Sequence, residues 1–285
     1  MSYATSLANN LESRICRSMD AGLASERTSH RAFVGISALL FATSAALTIV
    51  WCTSMSAMRG MPMPGGWTMA MVWMRMPGQS WPEAAASFIR MWVVMMVAMM
   101  LPSLAPMLWG YRQAVGSTSA TRQAWQTTLA GVGYFFVWTV FGMAVYPVGV
   151  GLAAVEMHQP VLARTAPIAV GVVVLIAGAI QFTSLKAHHL GCCREAPGRG
   201  RAVPAHAATA LRFGLGLGVH CIYCCASFTA VLLAIGVMDL RAMAFVTAGI
   251  TAERLAPGGK SVARAVGAVV IAAGFLLLTR AAGIR

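Results

Sequence analysis

The sequence predicts an all-α fold, a polytopic transmembrane helix bundle of six or seven spans. Three observations predict it. Charged residues make up 10% of the 285-residue chain, against about 25% in a soluble domain. Hydrophobic residues make up 58%, and the mean hydropathy is +0.71. The apolar residues gather in uncharged runs close to the ~20 residues that a spanning helix needs. Strands of a membrane barrel would instead alternate in polarity over about 9–11 residues. Inside a bilayer the backbone groups must bond within their own segment, so each long run is read as a helix.

The first 30 residues are polar and of mixed charge, with Glu12, Arg14, Arg17, Asp20, Glu26 and Arg27. They lack a signal peptide's apolar stretch and cleavage site at the usual distance from Met1. Residues 1–30 are expected to form a cytoplasmic N-terminal tail, mobile or a surface helix, with the bundle over 31–285. The apolar runs are Ala32 to Trp51, Met91 to Trp109, Leu129 to Gly149, Pro167 to Leu185, Phe213 to Met238 and Ala265 to Thr279. The last is short, but Arg264 and Arg280 at its ends can snorkel. Met238 to Leu255 is the undecided seventh. Asp239, Arg241, Glu253 and Arg254 flank too few uncharged residues there for a full span. It either spans with its charges at the interfaces or re-enters.

Basic residues set the orientation. Arg14, Arg17, Arg27 and Arg31 precede the first run, Arg112 and Arg122 follow the second, and Lys186, Arg194, Arg199, Arg201 and Arg212 follow the fourth. The alternate loops hold fewer. The N-terminus and the 186–212 loop are therefore expected inside, and the 53–87 loop outside. The formal charge of +13 is mostly this orientation signal. With no polar domain and no compact basic patch, nucleic acid is a poor candidate partner, and the lipid bilayer is the expected one.

Three clusters share soft sulfur and imidazole donors. The first is methionine: 14 of the 20 lie between Met55 and Met107. The outer loop carries Met55, Met58, Met61, Met63, Met69, Met71, Met74 and Met76, spaced by Pro and Gly. In the second run Met91, Met95 and Met99 share a helix face, with Met96 and Met100 as a parallel row. Thioethers suit Cu(I) better than hard cations. The plainer reading is gap-filling in an apolar bundle, which fits the helix better than a water-exposed loop.

The second cluster is His220-Cys221-Ile222-Tyr223-Cys224-Cys225, inside the fifth run. Cys221 and Cys225 are one helical turn apart, with Cys224 beside them. A histidine deep in a membrane is costly unless partnered. Three thiols and an imidazole can supply a trigonal or tetrahedral soft site, though one helix cannot aim them all at one ion. A donor from another helix is expected. The plainer reading is Cys as a small hydrophobe, which fits one such residue better than three.

The third cluster, Lys186-Ala187-His188-His189-Leu190-Gly191-Cys192-Cys193-Arg194, follows the fourth run at the inner surface. Thiols beside Lys and Arg ligate more readily. The spacing is not that of a zinc finger, and a basic flank with incidental Cys is the plainer reading. Cys16 and Cys52 stand alone and receive no role, and an odd total of seven Cys gives no disulfide framework. Gly214 and Gly218 have the spacing that lets helices approach closely. No Ser-His-Asp pattern or carboxylate pair is visible, so no catalytic residue is assigned, and binding is expected rather than catalysis.

These motifs, in this order, carry a resemblance. The segments are Met91 through Ser103, Leu185 through Arg194, and Gly214 through Cys221, Cys224, Cys225 and Gly236-Val237-Met238 to Glu253. The chain resembles, over roughly residues 88 to 280, a bacterial family of predicted metal-binding integral membrane proteins described as copper-binding. Against that family's pattern, His189 stands where a Cys is common, Tyr223 where a Gly is, Ala226 where a Trp is, and Asp239 where an Asn is. The resemblance implies a multi-pass protein of the bacterial inner membrane, with copper as its metal. The resulting expectation is a Cu(I)-handling membrane protein, in transport or in delivery to a cuproprotein or copper chaperone. Its metal donors would be Cys221, Cys224, Cys225, His220, Met91, Met95, Met99, His188, His189, Cys192 and Cys193. A membrane thiol-disulfide oxidoreductase using Cys221 and Cys224 is the runner-up, and a membrane assembly scaffold the third reading.

Overall fold

The computed structural model describes residues 2–57, 60–64, 66–115, 119–195, 204 and 206–283, with side chains from Glu26 onward in the first helix. Met58, Arg199 and Arg201 lie outside the described residues, as do the side chains of Arg14, Cys16 and Arg17. Among the described residues there are eight α-helices and one two-stranded hairpin. The helices are α1 (Ser2–Ala57), α2 (Trp81–Ala114), α3 (Ala120–His158), α4 (Pro160–Ile180), α5 (Ser184–Arg194), α6 (Ala207–Ile235), α7 (Leu240–Leu255) and α8 (Gly259–Ala281). Strands β1 (Met61–Met63) and β2 (Trp67–Met69) pair antiparallel between α1 and α2.

The chain divides into two compact units, Met1–Leu40 and Phe41–Arg285. The first is a stretch of α1 with exposed apolar side chains at Val34, Ile36, Leu39 and Leu40. Its helix does not break at residue 30, where a tail was expected to end. The second unit holds the other elements.

Six helices are long and apolar enough to cross a membrane: α2, α3, α4, α6, α8 and the Glu26–Ala57 part of α1. The undecided seventh run becomes α7, with 16 residues. At ~1.5 Å per residue that is about 24 Å, short of the ~30 Å hydrocarbon core. Its charges divide: Asp239 and Arg241 at the start are exposed, while Glu253 and Arg254 near the end are buried in the bundle. The expected fourth run, to Leu185, also splits. α4 stops at Ile180, a turn through Gln181–Thr183 follows, and Thr183 caps α5 by accepting from the Lys186 amide at 3.3 Å.

Local chemistry places the ends of the site-bearing helices. α2 starts at a capping box, in which the Ser80 amide donates to Glu83 Oε2 at 2.8 Å and the Glu83 amide donates to Ser80 Oγ at 3.4 Å. α6 ends at Gly236, whose φ of +140° carries the chain away where a side chain would be strained. Asp239 then caps α7, accepting from the Arg241 and Ala242 amides at 2.8 Å each.

α6 lies at the centre, packed against α3, α4, α5 and α7, and α4 pairs with α8 along its length. Small residues permit these approaches. A Cβ on Gly214 would collide with the backbone of Ala130 in α3, and one on Gly218 would meet Tyr134 O and Val137. The outward faces remain apolar, with Phe136, Val140 and Met143 of α3 exposed, as are Val172 and Ile176 of α4 and Val269, Phe275 and Leu276 of α8. A surface of this kind suits acyl chains rather than water.

The Met-rich segment corrects one expectation. It is not uniformly water-exposed: the hairpin turns Met63 and Met69 inward, where they pack with Ala153, Ala163, Trp67 and Trp73. Trp67 Nε1 donates to Ala163 O at 2.8 Å and fastens the hairpin to α4. Met61 and Met76 are exposed, and Met55, Met71 and Met74 half-buried. A two-stranded ribbon needs packing on one side to persist, and these two sulfurs provide it.

Candidate metal centre

The inward face of α6 carries Gly214, Leu217, Gly218, Cys221, Cys224, Cys225, Phe228 and Leu232, at the three- and four-residue spacing of a helix stripe. Cys221, Cys224 and Cys225 are at most 1% exposed. Their sulfurs all lie within 4.8 Å of one another, with Cys221–Cys225 at 3.6 Å and Cys224–Cys225 at 3.5 Å. These are free thiols, far beyond the ~2.05 Å of a disulfide bond.

The donor from another helix is Cys193 of α5. Lys186, Leu190 and Cys193 form that helix's buried stripe, which faces α6. Cys193 Sγ comes to 3.6 Å from Cys224 Sγ. The second and third sequence clusters thus meet. Of the third cluster, His188 is exposed and Cys192 half-buried, while Cys193 is 1% exposed and lies inside the bundle rather than at a surface. Seven residues of helix separate Lys186 from Cys193, so both can share a face that excludes His188 and Cys192.

Histidine is sorted away from the thiols. His220 points along another side of α6, and its Nδ1 lies 3.1 Å from Nδ1 of His189. One ring must donate and the other accept. His189 also stacks on Tyr223 with ring centroids 4.8 Å apart. Burial first, then the adjacent His220 and His188, hold His189 below the ordinary histidine range. Cys192 Sγ lies 3.9 Å from His188 Nε2 on the outer side of α5. The expected donors therefore form two groups. One is the thiols Cys193, Cys221, Cys224 and Cys225, and the other is exposed His188 with half-buried His189, His220 and Cys192.

The methionines of α2 form neither group. Met95, Met96, Met99 and Met100 are at most 2% exposed, and Met91 is half-buried. Among the described residues no hydrogen-bond-type contact joins their sulfurs to a thiol.

Charge around the thiols was the part that sequence reading missed. Arg254 of α7 reaches inward, its Nη1 3.6 Å from Cys221 Sγ, 3.1 Å from Ser103 Oγ and 3.5 Å from the Tyr134 hydroxyl. That hydroxyl lies 2.9 Å from Cys221 Sγ. Arg254 Nε and Nη2 are buried without a hydrogen-bond partner, and among the described residues no carboxylate pairs with Arg254. Lys186 is matched instead: its Nζ is 2.7 Å from Glu253 Oε2, and it also donates to the carbonyl of Cys224. Among the described residues, Arg254 is the cation beside the thiols that has no carboxylate partner. The available signal was two adjacent charges, Glu253 and Arg254, at the end of the uncharged stretch Ala242 to Ala252, since such residues are tolerated in a bundle when they face a functional interior.

The donor chemistry fits a soft ion. With metal–sulfur bonds of about 2.3 Å, a trigonal or tetrahedral ion sets its sulfurs about 3.8–4.0 Å apart. The observed 3.5–3.6 Å needs a few tenths of an ångström of opening on loading. Two thiolates on a monovalent soft ion would leave one net negative charge, which the Arg254 guanidinium 3.6 Å from Cys221 Sγ would offset.

The fold and site define a helical protein with six potential membrane spans and a buried thiol cluster able to hold a metal ion. A family model described as a copper chaperone, PpoB2, matches residues 89–277. That is more than half of the chain, and the protein belongs to this family. The match takes in Cys192, Cys193, Cys221, Cys224, Cys225, His188, His189 and His220, and leaves out Cys16 and Cys52. No curated protein and no solved structure matches the chain.

Proposed function

We propose that this protein is a membrane-embedded Cu(I) chaperone, which holds the ion on the α6 thiols and delivers it to a cuproprotein or to a copper-binding partner. The observation that carries this reading is the three-thiol group of α6, met by Cys193 from α5 and faced by the unpaired Arg254. A merely structural cluster of cysteines would gain nothing from a buried guanidinium.

Each step is a ligand exchange. A thiol loses its proton as its sulfur binds Cu(I), and the previous donor is released. The Met-rich 53–87 segment, placed outside a bacterial inner membrane with the N-terminus in the cytoplasm, would offer thioethers for capture. Exposed Met61 and Met76 and half-buried Met55, Met71 and Met74 suit that role better than Met63 and Met69. On the inner side, Cys193 borders the buried thiols, and exposed His188 with half-buried Cys192 on the outer side of α5 are the donors a receiving protein would reach. The ion is the cargo, and no group here is assigned to bond-making chemistry on a substrate.

The oxidoreductase reading has less support. α6 is unbroken through Cys221 and Cys224, so a disulfide between them would require the helix to open. Redox exchange between Cys221 and Cys224 also gives no role to Cys225, although Arg254 could stabilise a thiolate in either reading. The deciding experiment is metal analysis of purified protein loaded with Cu(I), wild type against a Cys221→Ser/Cys224→Ser/Cys225→Ser variant. The wild type should retain Cu(I) through desalting and the variant should lose most of it. Equal retention would end the proposal.

A further inference from the structure

Cys52 has no place in the cluster just described, yet it is 2% exposed and far from alone. Its Sγ lies 3.7 Å from Met238 Sδ and 4.0 Å from Met243 Sδ. Three stretches of chain supply these sulfurs: the last turns of α1, the α6–α7 junction and the first turn of α7. The junction is rigidly made. Gly236 turns the chain, Val237 is 1% exposed, and Asp239 caps α7 between the two methionines, its carbonyl accepting from the Met243 amide at 2.9 Å. We propose that Cys52, Met238 and Met243 form a second Cu(I) site, of one thiolate and two thioethers. It rests on the copper reading above and adds a station to it.

The separations from Cys52 suit the ion. Sulfurs bound at about 2.3 Å around a trigonal centre are about 4.0 Å apart, against 3.7 and 4.0 Å from Cys52 to the two thioethers. Donor softness selects the metal, since thioethers are poor ligands for harder ions. One thiolate and one Cu(I) sum to zero, so the loaded site needs no cation beside it, unlike the cluster beside Arg254, and the charged group that acts on Cys52 is the Asp239 carboxylate at the start of α7. Position gives the role. Met243 is 5% exposed and Met238 half-buried, so the ion enters past Met238. α1 ends five residues beyond Cys52, where the chain runs into the Met-rich segment. Ten residues of α6 separate Cys225 from Ile235 at the junction end, or about 15 Å along the axis at ~1.5 Å per residue. The site thus lies between the Met-rich segment and the thiol cluster. With one thiolate it holds Cu(I) less tightly than the cluster, which favours onward transfer.

The test is a Cu(I) titration of purified, detergent-solubilised full-length protein against a chromophoric Cu(I) chelator. A Cys52→Ala/Met238→Leu/Met243→Leu variant should bind one equivalent less than wild type and keep the cluster's share. A variant with Ser at Cys193, Cys221, Cys224 and Cys225 should still bind one equivalent. The same stoichiometry in wild type and the Cys52 variant would overturn the second site and leave the chaperone reading standing. No binding by wild type would overturn both. A measurement on wild type alone guards against misfolded variants. Bound Ag(I), a Cu(I) surrogate, should slow peroxide oxidation of Met238 several-fold, read by peptide mass spectrometry. Unchanged oxidation of Met238 would also overturn the site.

Discussion

Cys193 and Cys224, 31 residues apart in sequence, bring their sulfurs to 3.6 Å. The contact joins a short helix that follows α4 to the centre of α6. It gives the buried thiols of α6 a fourth sulfur from a second helix.

Removing that neighbour should affect retention and release together. Cys193→Ser is expected to weaken Cu(I) binding by about tenfold, ~1.4 kcal/mol. Cys192→Ser, on the outer side of α5, should leave affinity within a factor of two or so. Chelator competition on the purified variants measures both. Equal effects would mean that the buried position of Cys193 has no bearing on the ion.

The ion pair between Lys186 and Glu253 should be worth more broken than replaced. Both side chains are about 2% exposed or less, so Glu253→Gln strands a buried ammonium. A loss of about 3–5 kcal/mol is expected, seen as a large drop in melting temperature in detergent. Lys186→Met combined with Glu253→Leu should recover most of it. A double variant no better than the single one would contradict this assignment.

Close packing of α6 on α3 should fail at one glycine and survive at its neighbour. A Cβ at Gly214 meets the Ala130 backbone, whereas one at Gly216 meets open space. Gly214→Leu should cut the yield of folded protein severely, because backbone cannot yield as a side-chain tip can. Gly216→Ala should be neutral or slightly stabilising. Size-exclusion profiles of detergent extracts distinguish the two.

Orientation is open to a direct check. Reporter fusions at Gly65 and Gly198 should give opposite signals, with the first outside and the second in the cytoplasm, from the distribution of basic residues. Matching signals would reverse the proposed direction of capture and delivery.

Much of the architecture was legible along the chain. Six long apolar runs and the scarcity of charge were enough for the helical class, because a bilayer leaves the backbone no other way to bond. The i, i+3, i+4 spacing of Cys221, Cys224 and Cys225 already put them on one face. The inward turn of Met63 and Met69 was not legible, since thioethers serve equally in a core or on a loop and only the hairpin's packing distinguishes them. Nor was the fate of Met238 to Leu255, whose length and charges fit both a span and a re-entrant segment.

Sequence alone determined the helices, their approximate number and the soft character of the donors, since all three depend on local composition and period. Tertiary structure decided which donors meet. Cys193 joins Cys224 while Cys192 turns away, His220 turns to His189, Cys52 finds two methionines nearly 200 residues further on, and Arg254 enters the thiol site as a counter-charge. Those pairings depend on how α5, α6 and α7 rotate and pack against one another. A periodicity read along one helix gives a face, but it does not say what that face meets.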